Sequence, residues 1–344
     1  MSLKQKAQSA LRPLVQAAWP VVEALSRARP PAAPGISVHW AEAWTPEFDQ
    51  ALAALPALAD CPRDLYKELL RPTDVPKRHA LVRENGAPIA IISVRRCQRH
   101  WEPVAYQCMP GAIAPARDAP ALGRALNALG LEVRVNAGLG PDVEQMGPRY
   151  SWKYVWYQID LQSDYQAHWR AKKRQYTINR ARKRCAEMER RVDGAGDLEW
   201  IIAQWREQWA ADPGQEIVAT QDRLHFWGAL AELGNRNPLR LHTLTLLGEG
   251  KRAAGLIFTS RGDTVMLQCG GRDPGFDDSY SRAATTLASV DWAGEHGFRF
   301  LDLAAGDFKR LWGPEGGVRY GAIFRPRFID ALSWANPEPK HEGE

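Results

Sequence analysis

The sequence predicts an α/β fold of two tandem units, each a mixed, mainly antiparallel sheet flanked by helices. Three observations lead there. The chain has 344 residues, more than one typical domain and enough for two of roughly 150 each. Its 45% hydrophobic and 25% charged content is that of an ordinary globular protein. One order of elements (hairpin, strand, helix, strand) occurs twice.

In the first occurrence, HALVRENGAPIAIISV (79–94) reads as two strands joined by Asn85-Gly86, residues that tolerate the positive φ angles of a tight hairpin turn. A strand near 104–109 follows, then Gly111. Next come a helix at about 119–129, with Ala121, Leu122, Ala125, Leu126 and Leu129 at helical spacing, and a closing strand, Leu131–Val135. In the second occurrence, 239–260 form a hairpin around Gly248-Glu249-Gly250, and a strand lies at 264–269. Gly270-Gly271 then turn the chain into a helix at about 282–296, and Phe298–Leu303 close the unit. The two hairpin turns are about 163 residues apart and the two closing strands about 168, which reads as a structural duplication. The expected organisation is an N-terminal helix and Pro-rich linker at 1–35, a first domain at 36–150, a second, catalytic domain at 151–330, and a polar tail at 331–344.

At the N-terminus, Leu3, Ala7, Ala10, Leu14, Ala18, Val21 and Leu25 recur at helical spacing. Lys4, Lys6 and Arg12 interrupt them, so the segment lacks the continuous apolar run of a secretory signal. Two readings are open: a helix packed on the body of the protein, or a helix resting on an anionic membrane surface through residues 3–25. No apolar run approaches the roughly 18 residues of a membrane span. Five scattered cysteines, Cys61, Cys97, Cys108, Cys185 and Cys269, form no C-x-x-C pair, which predicts reduced thiols and a cytoplasmic compartment. The histidines show no H-x-x-x-H or H-E-x-x-H spacing, so no metal is expected.

The net charge of +5 is concentrated. Residues 170–191 hold ten Lys/Arg and two Glu, and the remaining 35 basic and 38 acidic residues leave −3. General coating of nucleic acid is not indicated. Along this segment Ala167, Ala171, Ile178, Ala181, Cys185, Met188 and Val192 fall on one helical stripe, and Arg174 falls on it too. A guanidinium on an apolar stripe requires a carboxylate or a bound anion. Lys172, Lys173, Arg182 and Lys183 lie off the stripe, on a solvated face. Seven of the fourteen tryptophans lie between 152 and 227, where they suit core filling or stacking on a sugar or adenine ring.

Antiparallel hairpin, strand, helix, strand is the core order of the N-acetyltransferase (GNAT) fold, and GFRFLDLAAGDFKRLWG (297–313) resembles the closing strand and loop of its CelD-like, cellulose-biosynthesis acyltransferases. The matching residues are Asp302, Gly306-Asp307, Phe308-Lys309 and Trp312, with Phe308 where that family usually has Tyr. RDPGFDDSYSRAATTL (272–287) resembles the family's cofactor loop and helix start, with Ser281-Arg282 where Pro-Gly is usual and without the glycine-rich pyrophosphate signature. HWRAKKRQYTINRARKRCAEMERR (168–191) looks like the helix opening the catalytic half, with Arg174, Ile178 and Arg180 in an Arg-x-x-x-aliphatic-x-Arg pattern. Peptidoglycan-bridge aminoacyltransferases share this helix style and also pair two such folds.

The resemblance implies an acyltransferase with acetyl-CoA as donor and an amine or hydroxyl of a sugar-linked or envelope precursor as acceptor. It implies catalytic roles for Asp307 and Asp302, acceptor contacts from Lys309, Arg174, Asn179 and Trp312, and cofactor contacts from Gly270, Gly271, Ser281 and Arg282. Two alternatives stay open: an aminoacyltransferase using charged tRNA, and a non-catalytic nucleic-acid-binding module built on the basic segment.

Overall fold

The computed structural model describes residues 3–27, 34–55, 76–97, 100–103, 112–113, 119–210, 220–233, 239–276 and 279–325. The expected strand at 104–109, the linker after Arg27 and the tail from 326 lie outside the described residues. The chain forms two compact units.

The first unit contains α1 (Leu3–Arg27), β1 (Ile36–Ala41), α2 (Pro46–Ala54), β2 (Lys77–Glu84), β3 (Ala87–Cys97), β4 (His100–Pro103), β5 (Ala112–Ile113), α3 (Ala119–Ala128) and β6 (Val133–Leu139). It also takes the end of β13 (Glu315–Phe324), which follows the rest of the chain's elements in sequence. Its sheet runs β1-β2-β3-β4-β6-β13, with β5 pairing β3. Among the described strands of this unit only β4 and β6 are parallel, at Trp101↔Val133. Asn85 (φ 50) and Gly86 (φ 85) both adopt positive φ, so the Asn-Gly pair supplies the expected tight turn between β2 and β3. Val82, Ile92, Val94, Leu126, Leu131 and Phe324 make the core, each such side chain contributing about 1.5–3 kcal/mol on burial.

The second unit contains most of β7 (Tyr150–Asp160), then α4 (Tyr165–Ala171), α5 (Gln175–Ala186), β8 (Glu189–Val192), α6 (Asp197–Ala210) and α7 (Thr220–Leu233). β9 (Arg240–Gly248), β10 (Lys251–Arg261), β11 (Thr264–Arg272), α8 (Ser279–Glu295) and β12 (Phe300–Ala305) complete it. Its strand order, β8-β9-β10-β11-β12-β7, repeats that of the first unit position by position, including the single parallel pair, here β11 with β12. The five repeated elements begin at 77, 87, 100, 119 and 133 in one unit and at 240, 251, 264, 279 and 300 in the other. The duplication expected from the sequence is therefore present as topology. Leu244, Phe258, Val265, Leu287, Trp292 and Leu301 anchor the second core.

The basic segment is corrected by the structure. It is two short helices and a strand rather than one helix over 168–191. Lys173 (φ 54) takes the left-handed conformation after α4, with Lys173 N–H bonded to Arg170 O at 2.9 Å and Arg174 N–H to Trp169 O at 3.0 Å. That bond pair terminates a helix by satisfying its last carbonyls. Ala167 and Ala171 of the expected stripe are exposed, while Ile178 and Ala181 are buried as expected.

Candidate active site

The second unit contains a place where its sheet opens. The parallel ladder between β11 and β12 has three rungs, Thr264↔Phe300, Val265↔Leu301 and Met266↔Asp302. β11 then continues to Arg272 bonded to β10, and β12 continues to Ala305 bonded to β7. Parallel neighbours that part in this way leave a crevice beyond their carboxyl ends.

Asp302 stands at the parting point, 4% exposed. It pairs with Gln158 across a register shift between Asp302 and Ala304. One carboxylate oxygen, Oδ1, accepts the Ala304 N–H at 2.7 Å, and Ala304 (φ 61) carries the backbone strain of the bulge. The sequence predicts Asp302 beside the end of its strand, at Leu303. Asp302 lies mid-strand instead, because the bulge lets β12 continue three residues past it.

Past β12, Gly306 (φ 129) swings the backbone into a 3-10 turn over Asp307–Leu311. Lys309 N–H bonds to Gly306 O at 2.9 Å, and the Trp312 and Gly313 N–H groups both bond to Lys309 O. The turn lies close on β7: a Cβ on Gly313 would sit 2.6 Å from Gln158 O. The Lys309 side chain is half-buried; those of Asp307 and Phe308 lie outside the described residues.

Helix α4 holds this turn in place. Asp164 caps the helix by accepting from Ala167 N–H at 3.1 Å. Trp169, 2% exposed, donates its indole N–H to Trp312 O at 2.7 Å, with the two rings edge to face at 5.9 Å. His168 Nε2 lies 3.0 Å from Arg310 O. A carbonyl only accepts, so the ring proton is on Nε2 and Nδ1 of the neutral ring is an acceptor. The His168 and Trp169 ties went unremarked in the sequence; the available signal was the His-Trp doublet just ahead of the basic run.

Arg174 is the N-cap residue of α5 rather than a member of an interior stripe. It is half-buried, and its guanidinium has no hydrogen-bond or ion-pair partner among the described residues. Asn179 is exposed one residue beyond buried Ile178. Lys172, Lys173, Arg182 and Lys183 are exposed, as expected.

The cofactor-side expectations need correction. Gly270 and Gly271 are not a turn: both lie in β11, paired with Leu256 and Gly255. A Cβ on Gly271 would meet Ile201 O at 2.4 Å, so this glycine admits the backbone of α6 against the strand. Helix α8 begins at Ser279, two residues before the expected cap at Ser281. The side chains of Ser281 and Arg282 lie outside the described residues. Among the described residues no group of three or more His, Cys, Asp or Glu is placed to hold a metal ion.

The open parallel pair, the helix after it and the ordered turn beyond β12 all fall within or beside one stretch of sequence. Residues 172–310 match the family model described as an acetyltransferase (GNAT) domain. The chain is accordingly an acyltransferase.

No curated protein matches the sequence. Among solved structures, the chain is similar to the C-terminal domain of a putative lysylphosphatidylglycerol synthetase from Agrobacterium fabrum, with TM-score 0.49, 14% identity, and 78% of this chain and 89% of that one covered. L-PGS from Bacillus licheniformis gives TM-score 0.49 and 12% identity over 86% of this chain and 98% of its own. A tandem GNAT protein from the clavulanic acid biosynthesis pathway gives TM-score 0.46 and 12% identity over 84% and 99%.

Proposed function

We propose that the chain transfers an acetyl group from acetyl-CoA to an amine or hydroxyl of a sugar-linked or cell-envelope precursor, as a relative of the CelD-like acyltransferases. The observation that carries this reading is the GNAT match over 172–310 together with the parted β11/β12 pair inside it. The donor enters the crevice beside the start of α8, where unbonded backbone N–H groups and the helix dipole favour its pyrophosphate. Arg282 pairs with a phosphate.

The acceptor lies against the 306–312 turn. Asp307 takes the proton from the attacking amine, the nitrogen adds to the thioester carbon, and the C–S bond breaks to release the CoA thiolate, which takes up a proton. Lys309 and Trp312 hold the acceptor. Arg174, half-buried without a partner, supplies a cation for an anionic part of it.

Calorimetry with acetyl-CoA tests the donor. Binding that weakens in Arg282→Ala supports the assignment, and absence of heat at high protein concentration removes it. On a verified acceptor, Asp307→Asn is expected to lower turnover by about 10²–10⁴ with the melting temperature unmoved, and Lys309→Ala to raise KM. A structural turn would give the reverse, a lower melting temperature and unchanged turnover per folded molecule.

A second reading rests on the exposed Lys172, Lys173, Arg182 and Lys183. They suit a tRNA-borne aminoacyl donor. A parallel titration with charged tRNA distinguishes it: salt-sensitive tRNA binding without acetyl-CoA binding would favour the aminoacyl donor.

A further inference from the structure

Helix α1 presents the wrong face to its own unit. Among its described residues the buried ones are Trp19, Glu23 and Ser26. Glu23 anchors it, pairing with Arg96 Nη1 at 2.7 Å and accepting from Trp101 Nε1 at 3.3 Å. Ser26 lies against Gly130, where a Cβ would meet Ser26 O at 3.0 Å. The apolar stripe that the sequence singles out points the other way. Leu14 is 68% exposed, Val21 62% and Leu25 62%, with Leu11 beside them at 50%. Ala7, Ala10, Pro13, Ala17, Ala18, Pro20 and Ala24 are exposed beside them. At 100° per residue these positions span roughly half the helix circumference. Soluble surfaces rarely leave so long an apolar strip uncovered.

Three observations decide what covers it. First, the segment 3–29 holds Lys4, Lys6, Arg12, Arg27 and Arg29 against a single acid, Glu23, and that acid is spent on Arg96. A second copy of the helix would bring like charges together, whereas an anionic surface complements them. Second, the apolar arc is wider than the two-positions-per-heptad seam of a coiled coil. Third, Pro13 and Pro20 lie inside the helix, and each removes one backbone hydrogen bond. The freed carbonyls stay solvated at a lipid–water boundary, where one side of the helix remains wet. No described helix is long and apolar enough to cross a membrane.

We propose that α1 docks the protein on an anionic lipid surface, with Leu11, Leu14, Val21 and Leu25 immersed and the basic residues at the headgroups. Four large apolar side chains and a modest charge give reversible binding rather than permanent anchoring.

The test is co-sedimentation of the full chain with phosphatidylcholine vesicles with and without phosphatidylglycerol, beside sedimentation velocity without lipid. The expected result is binding to the anionic vesicles only, weakened by salt, and reduced about tenfold or more in Leu14→Glu/Val21→Glu with an unchanged melting temperature. The proposal is overturned by absence of binding to anionic vesicles, by binding that the double substitution leaves intact, or by a lipid-independent dimer that the double substitution converts to monomer. The last result would assign the face to a second copy.

Discussion

Each unit buries one carboxylate between two arginines, and the two arrangements differ in how they meet solvent. In the first unit Glu132 is wholly buried, bonded to Arg134 Nη2 at 2.8 Å and Arg325 Nη1 at 3.3 Å, and both arginine side chains are buried as well. In the second unit Asp197 is equally buried, but its partners Arg191 and Arg252 keep about a third of their side chains in water. Burial alone would raise the Asp197 carboxyl, yet hydrogen bonds from Arg191 and Arg252 outweigh it and hold the group below the usual carboxylate range. A second contrast follows along the sheets. Where Asp302 pairs with Gln158 in the second unit, Arg134, 168 residues earlier, pairs with Ile323 in the first. One topology thus carries an acid beside its parted strands in the unit that matches the acetyltransferase domain, and in the other an arginine bound to Glu132.

The contrast is broken most severely at Glu132. Glu132→Gln removes a buried carboxylate that two buried guanidinium groups share and should lower unfolding free energy by about 3–5 kcal/mol, read from denaturant melts. Asp197→Asn, with partners that water can reach, should lose about 1–3 kcal/mol. Equal losses would show that partner exposure does not set the scale.

The first unit also holds His79, buried against Trp44 and Phe48 and bonded through Nδ1 to Ser93 Oγ at 2.9 Å. Burial, and then the charge of Lys77, lowers its pKa from 6.5 to about 4. The unfolded chain therefore binds this proton first as pH falls. Stability is full above 6.5 and is lost between 6.5 and 4, by about 3 kcal/mol in total. Melts across that range should show the loss in the wild type and its absence in His79→Gln.

In the second unit, Gly271→Ala pushes a methyl into the α6 backbone at Ile201 and should destabilise by about 1–3 kcal/mol, with amide exchange rising in α6 and β11. The smallest effect is expected at Asp302. Asp302→Asn keeps an oxygen for the Ala304 N–H, so stability should change by less than about 1 kcal/mol. Turnover should stay within about tenfold if Asp307 is the base. A larger loss of turnover with stability unchanged would move the base to Asp302.

Local patterns in the chain already contained the duplicated hairpins. Asn85-Gly86 and Glu249-Gly250 take the positive φ angles that a tight turn demands, and both sit between apolar runs. Other features depend on contacts distant in sequence and were not legible. Gly270-Gly271 look like a turn until α6 is seen lying on Gly271. The basic segment keeps a helical stripe across 167–192, but Trp169 docks on Trp312, 143 residues away, and the helix ends before Lys173. The apolar stripe of α1 reads as a core face, yet its buried side is chosen by Glu23 meeting Arg96.

By itself, then, the sequence determined the fold class and the repeat, because turn chemistry and hydrophobic period act over a few residues. Tertiary structure alone decided that β13 completes the first unit's sheet and β7 the second's, that β12 bulges at Asp302, and which face of α1 is covered. Those outcomes depend on pairing and burial between residues far apart in the chain, and local propensity carries no information about which partner will be there.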